Sequence, residues 1–265
     1  MIGIFDSGIG GLSVWKELKR LMPDEDYIYV ADSKYAPYGL KSIDFIRERT
    51  SLISEFLINK RAEVIVVACN TASAAALSFL RSKYDIPFVG MEPAIKPAVH
   101  KTQSGVVGVL ATANTFKGDL YNNTLERFAS ETKVIERVGE GLVELIEAGK
   151  YECEEVEELL RVYLLPMMNE GVDALVLGCT HYPFLEKSIR KIVGHDMNII
   201  NPAPSVALQT QRIINERRVD SYAQAQKERR GSSLFYSTGE TKILIKAAMM
   251  IAPSMKEENF FKINI

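Results

Sequence analysis

Cysteine is scarce in this chain, with three in 265 residues, at positions 69, 153 and 179. An odd number at such wide spacing makes no disulfide framework, and no Cys-x-x-Cys redox pair is present. A reduced, cytoplasmic setting is therefore expected. An excess of charge of either sign is also missing. Lys plus Arg total 32 against 34 Asp plus Glu, a formal net charge of -2, which supplies no field to hold nucleic acid or an anionic membrane. The 17 glycines and 10 prolines form no low-complexity tract. The opening residues lack a basic stretch followed by an apolar one, so no signal peptide is expected. The uncharged stretch Val64–Leu80 spans 17 residues and is interrupted by Asn70, Thr71, Ser73 and Ser78. That is short of the roughly 20 residues of a membrane helix, and a buried strand running into a buried helix explains it better.

What is present is an ordinary globular composition, 47% apolar and 25% charged. Short apolar runs predict strands at Ile2–Phe5, Tyr27–Ala31, Val64–Ala68, Phe88–Met91, Val106–Leu110, Val134–Val138, Ala174–Gly178, Asn198–Ile200 and Leu234–Ser237. Between them, helical patterns cover segments such as Ser42–Lys60, Ala72–Tyr84, Thr115–Phe128, Glu154–Glu170, Phe184–Val193 and Val206–Arg217. Several strands are continuously apolar, as when helices cover both faces of a parallel sheet. The alternation argues for an α/β architecture. The charged patches Glu152–Glu158 and Lys227–Arg230 read as solvated helix faces or loops.

The chain also echoes itself. Val64-Ile65-Val66-Val67-Ala68-Cys69-Asn70-Thr71 resembles Ala174-Leu175-Val176-Leu177-Gly178-Cys179-Thr180-His181, 110 residues later. Ile2–Ser7 has a weaker partner in Val107–Thr112. Two similar α/β halves follow, with the cysteine-bearing strand ends facing each other across a cleft.

Ligands of parallel sheets bind beyond the carboxyl ends of the strands. Four polar clusters fall there: Asp6-Ser7, Cys69-Asn70-Thr71, Thr112 with Thr115, and Cys179-Thr180-His181. Each precedes an expected helix N-terminus, whose free N–H groups suit a carboxylate or phosphate. Any one Ser or Thr in such a place is ordinarily just an N-cap; four clusters together are harder to dismiss. The Gly8-Ile9-Gly10-Gly11 turn lacks both the dinucleotide fingerprint and the Gly-Lys-Ser/Thr of a phosphate loop, so it reads as a tight strand-to-helix turn. Cys179 and His181 are two metal ligands at most, with no second pair at zinc spacing. No metal and no cofactor are expected.

A free buried cysteine is usually a small hydrophobe, and Cys153 in its charged run fits that inert reading. Cys69 and Cys179 differ because each ends a strand and opens a helix. At a reference pKa of about 8.5 a thiol is only ~3% ionised at pH 7. A helix N-terminus favours an anion by up to ~2 kcal/mol, which makes thiolate abundant. His181 is placed to share a proton with Cys179, and Asp6 with Cys69 if their strands are adjacent. Paired thiols on opposite walls of a cleft fit either a redox disulfide or proton removal and return on opposite faces of one carbon.

Asp6-Ser7-Gly8-Ile9-Gly10-Gly11, Tyr35-Ala36-Pro37-Tyr38-Gly39, Ala68-Cys69-Asn70-Thr71-Ala72 and Gly178-Cys179-Thr180-His181-Tyr182-Pro183 resemble the signature segments of glutamate racemases in the aspartate/glutamate racemase family. The resemblance runs through the whole chain, in order. It implies two pseudo-symmetric parallel-sheet α/β domains, residues 1–97 plus 208–265 and residues 98–207, with the active site in the cleft between them. It implies cofactor-independent interconversion of L- and D-glutamate, supplying the D-isomer for peptidoglycan, by a cytoplasmic homodimer. Carried over by motif, Cys69 and Cys179 exchange the α-proton, Cys69 with D-glutamate and Cys179 with L-glutamate. Asp6, His181 and Glu147 assist them; for Glu147 the residues alone would indicate an exposed helix acid. Asp6, Ser7, Pro37, Tyr38, Gly39, Asn70, Thr71, Thr112, Thr115, Thr180 and His181 contact substrate. The loop Ala113-Asn114-Thr115-Phe116 matches the family pattern more loosely than the cysteine segments do. The alternatives are a racemase of aspartate or another small amino acid, and a non-catalytic module that binds a carboxylate or phosphate.

Overall fold

The computed structural model describes residues 1–219 and 231–265, so the Lys227–Arg230 patch lies outside the described residues. The chain divides into two compact units, residues 1–91 with 203–265, and residues 92–202.

The first unit runs β1 (Ile2–Asp6), α1 (Leu12–Leu21), β2 (Tyr27–Ala31), α2 (Ile43–Asn59), β3 (Val64–Val67), α3 (Asn70–Lys83) and β4 (Phe88–Gly90). The second runs α4 (Ile95–Lys101), β5 (Val106–Ala111), α5 (Ala113–Phe116), α6 (Asp119–Phe128), β6 (Lys133–Val138), α7 (Leu142–Glu147), α8 (Glu154–Asn169), β7 (Ala174–Gly178), α9 (Glu186–Val193) and β8 (Asn198–Ile200). The chain then returns to the first unit with α10 (Ala203–Val219), β9 (Ser233–Ser237), α11 (Lys242–Ile251) and β10 (Phe260–Lys262).

Each unit holds one parallel sheet, ordered β10-β9-β2-β1-β3-β4 in the first and β6-β5-β7-β8 in the second. The stretch β2-β1-β3-β4 has the same order as β6-β5-β7-β8. The repeat in the sequence is thus a repeat of topology, with β3 and β7, the strands that lead into Cys69 and Cys179, in equivalent places. β1, β2, β3 and β7 are buried along their whole length. This is the physical reason for their apolar runs: helices on both faces leave little room for a polar side chain before the strand's end.

Several details depart from expectation. The crossings fall at 91/92 and 202/203 rather than at 97/98 and 207/208. The earlier boundaries would cut α4 and α10, and each helix packs whole against one unit: α4 on α6, β7 and β8, and α10 on α1, β3 and β4. The single helix expected over Thr115–Phe128 is two, α5 and α6, interrupted at Lys117-Gly118 with Gly118 in extended backbone. The helix expected over Glu154–Glu170, by contrast, is found as α8 and runs through Pro166.

The Gly8–Gly11 turn is the tight connection expected. A Cβ on Gly11 would come within 2.8 Å of the Asp6 side chain and 2.9 Å of the Tyr29 hydroxyl, so only glycine lets the backbone approach the end of β1. Among the described residues, no helix is long and apolar enough to cross a membrane.

Candidate active site

In the first unit the carboxyl edge of the sheet gathers Asp6, Asp32 and Cys69. β1 pairs directly with β3, so the strand ends carrying Asp6 and Cys69 are neighbours. Asp6 is fully buried. Its carboxylate accepts the backbone N–H of Gly11 at 2.6 Å and of Ser7 at 2.7 Å, and the Ser7 hydroxyl at 3.3 Å. Three donors hold it as an oriented acceptor.

Cys69 is 4% exposed and stands at the N-cap of α3, where its sulfur accepts the Ala72 N–H at 3.4 Å. The helix N-terminus expected to favour a thiolate is therefore aimed at the sulfur itself. On its other side the thiol donates toward Ser7 Oγ at 3.8 Å. Cys69, Ser7 and Asp6 thus form a line from thiol through hydroxyl to carboxylate. Asn70 and Thr71 form the buried first turn of α3, and the Asn70 side-chain oxygen is a buried acceptor without a hydrogen-bond donor.

In the second unit Cys179, 6% exposed, follows β7. No α-helix opens on it, contrary to expectation. A 3-10 turn over Tyr182–Leu185, with Pro183 in its first turn, intervenes before α9. The environment that Cys69 gets from a helix end, Cys179 gets from an imidazole. Its sulfur lies 3.7 Å from His181 Nδ1, and His181 Nε2 lies 2.6 Å from Glu147 Oε1. Glu147 ends α7 and is 17% exposed in its side chain, so it is no ordinary surface acid. Tyr182 donates its hydroxyl to the Gly139 carbonyl. Burial, with the adjacent Cys179, holds its phenol well above the ordinary range, so it stays protonated beneath the motif. Thr180 is buried, and the Thr112 and Thr115 hydroxyls pair at 2.9 Å at the end of β5.

The structure thus gathers Asp6, Ser7, Cys69, Asn70 and Thr71 at one sheet edge. It gathers Cys179, Thr180 and His181, with Glu147 brought in from α7, at the end of β7. Pro37, Tyr38 and Gly39 lie in the segment after β2. The Tyr38 hydroxyl is committed to Asp32 at 2.5 Å, so this side chain meets its own protein, and only its ring and backbone are left to offer a ligand.

Nothing in the sequence singles out Asp32 and Arg49 as partners. The readable signal was position, since Asp32 directly follows β2 beside the end of β1. Among the described residues no three His, Cys, Asp or Glu side chains gather as a metal site. Cys153 is half-buried at the N-cap of α8, among acids.

The family model for Asp/Glu/Hydantoin racemases matches residues 2–210. The glutamate racemase of Ectopseudomonas mendocina (strain ymp) is 48% identical over 233 residues, covering 88% of this chain and 89% of that protein. The crystal structure of a glutamate racemase from Francisella tularensis in complex with D-glutamate aligns with TM-score 0.84 at 28% identity, over 99% of this chain and 97% of that one. That of the Escherichia coli glutamate racemase with L-glutamate and the activator UDP-MurNAc-ala aligns with TM-score 0.83 at 32% identity, over 99% and 97%.

Proposed function

The chain belongs to the Asp/Glu/Hydantoin racemase family, and from that premise we propose that it interconverts L- and D-glutamate by proton transfer between two thiols, Cys69 and Cys179. The observation that carries the reading is the pair of relays. One runs from Cys69 through Ser7 to Asp6, the other from Cys179 through His181 to Glu147. Each thiol has a partner that accepts or shares its proton, as a group serving as base in one direction and acid in the other requires.

For L-glutamate, Cys179 as thiolate takes the α-proton, and Cys69 as thiol protonates the opposite face of the planar carbanion. For D-glutamate the roles exchange. Separate bases for the two faces let each deliver its own proton, so that no single group has to move from one face to the other. The carbanion is formed among fixed dipoles, the α3 N-terminus among them. The donor-lacking Asn70 oxygen suits the substrate ammonium, and the paired hydroxyls of Thr112 and Thr115 suit a carboxylate.

The same reading makes the protein a cytoplasmic homodimer that supplies D-glutamate to peptidoglycan. Light scattering in solution tests the dimer. The activity is tested by polarimetry on L-glutamate with L-aspartate beside it. Loss of rotation with glutamate alone is the expected result. Loss with aspartate alone would move the substrate, and a steady signal with both would leave a binding module.

A further inference from the structure

Asp32 is fully buried at the end of β2, one residue beyond the Asp6–Ala31 pairing that joins β1 to β2. A charge taken wholly out of water persists only when it is paired and hydrogen-bonded, and Asp32 is held on every side. Arg49 of α2, itself 5% exposed, grips it with two nitrogens, Nη2 to Oδ1 at 2.8 Å and Nε to Oδ2 at 3.0 Å. Thr238, just after β9, donates to Oδ1 at 2.8 Å, and Tyr38 donates to Oδ2.

These partners reach in three directions. Arg49 Nη1 donates to the Ile265 carbonyl at 2.8 Å, and the guanidinium lies over the Tyr35 ring, 4.2 Å from its centre. Thr238 Oγ1 accepts the Lys34 N–H at 3.2 Å. The segment from Lys34 to Tyr38 is therefore attached at its start, through its Tyr35 ring and at its end, all to one buried ion pair. Tyr38 lies in the same hydrophobic cluster as Cys69, and Ile263 and Ile265 pack against that cluster. Burial and the Asp32 charge keep the Tyr38 phenol protonated well above its ordinary range, so it remains a donor at any working pH.

We propose that Arg49 and Asp32 are a positioning pair for the Cys69 half of the reaction. Through Tyr38 they hold the Pro37–Gly39 backbone beside Cys69, and through Ile265 they recruit the last strand's continuation as a brace. The inference rests on the glutamate reading above. Neither residue touches substrate; what they fix is where substrate lies relative to one of the two thiols. A misplacement of about 1 Å at a reacting centre costs on the order of a hundredfold in rate, so loosening the tether slows the step made by Cys69 and spares the one made by Cys179.

Primary isotope effects test this, because they are read per turnover and do not depend on how much protein is folded. With D-glutamate deuterated at Cα the bond broken faces Cys69; with L-glutamate deuterated at Cα it faces Cys179. Arg49→Lys and Tyr38→Phe are each expected to raise the isotope effect from D-glutamate and to lower that from L-glutamate, because reprotonation by Cys69 then limits the reaction and α-proton removal by Cys179 becomes the faster, reversible step. The double variant should be no worse than Arg49→Lys alone, since both act through one tether. Should Arg49→Lys fail to fold, Thr238→Val cuts the same network at a milder point and should give the same one-sided rise.

A purely structural role would lower the melting temperature and leave both isotope effects in place. That result, an equal rise from both enantiomers, or a rise from L-glutamate alone would overturn the proposal. A parent protein that moves no α-proton from either enantiomer would overturn the glutamate reading itself, and is seen before any variant is made.

Discussion

Glu147 Oε1 and His181 Nε2 stand 2.6 Å apart, although 34 residues separate them in the chain. An imidazole that donates its Nε2–H to this carboxylate in a hydrogen bond turns an unprotonated Nδ1 toward Cys179, ready to accept the thiol proton. When that proton arrives, the carboxylate stabilises the resulting imidazolium. On this reading the carboxylate acts on the thiol without touching it. Glu147→Gln keeps a hydrogen-bonding group in place and removes the charge. Its turnover is expected to fall about tenfold to a hundredfold, below the ~10²–10⁴ that a general base itself contributes. Steady-state rates with either enantiomer check it; an unchanged kcat would make Glu147 a surface acid after all.

His181→Asn should act unevenly on the two directions. On the two-thiol reading, Cys179 must lose its proton before it attacks L-glutamate, and the imidazole takes that proton. In the reverse direction Cys179 begins as an acid and needs no base. The kcat from L to D is expected to drop further than that from D to L. Because the two products are enantiomers the equilibrium constant stays at unity, so KM falls along with kcat in the more affected direction. Equal losses in both kcat values would make His181 chiefly a substrate contact.

Tyr151 stacks on Phe184 with ring centres 5.4 Å apart, and its hydroxyl is buried without a hydrogen-bond partner. Burial, helped by the charge of Glu147, pushes its phenol up from 10.0 to about 12. Removing a buried unpaired hydroxyl forfeits nothing, so Tyr151→Phe should change stability by less than about 0.5 kcal/mol at neutral pH, or raise it. Between pH 10.0 and about 12 the unfolded chain gives up a proton that the folded chain keeps, so stability falls there. The variant should fall less steeply. Denaturant midpoints at pH 7 and pH 11 decide it.

How far the sequence could be read depended on how local each feature was. β2 and β7 lie where the apolar runs put them, because a doubly covered strand advertises itself in five consecutive residues. The thiols, Asp6 and His181 stand at strand ends, where motif and topology coincide. Glu147 is different. Nothing in Val143–Glu147 distinguishes a surface acid from one turned toward His181, and only the resemblance pointed to it. The pairing of Asp32 with Arg49 was invisible for the same reason: a buried ion pair joins distant residues, and each member alone looks like surface charge. The break between α5 and α6 turned on one glycine, which overrode a periodicity that looked continuous.

Asp173 directly precedes β7 and accepts from the Thr102 hydroxyl and from the N–H groups of Gln103 and Ser104, fixing the turn before β5. Burial opposes its charge, but these hydrogen bonds prevail and hold its carboxyl below the usual 3.8. The stabilisation is present above that value and is lost as pH falls through the lower, folded one. Asp173→Asn should cost about 1 kcal/mol at pH 7, after discounting for solvent screening. The difference from the parent should shrink toward pH 2. A gap that stays constant with pH would mean that the loss is one of shape and not of charge.

The central claim, one thiol for each face of the α-carbon, is tested most directly in heavy water. The thiol that protonates the carbanion is not the one that removed the proton, and it has exchanged with solvent beforehand. Product of inverted configuration should therefore carry deuterium at Cα from its first appearance, while recovered substrate gains it more slowly. Cys153→Ala should behave as the parent does, and Cys69→Ala and Cys179→Ala should each form no inverted product. Early product that keeps its original protium, or racemisation by either single-thiol variant, would contradict the account.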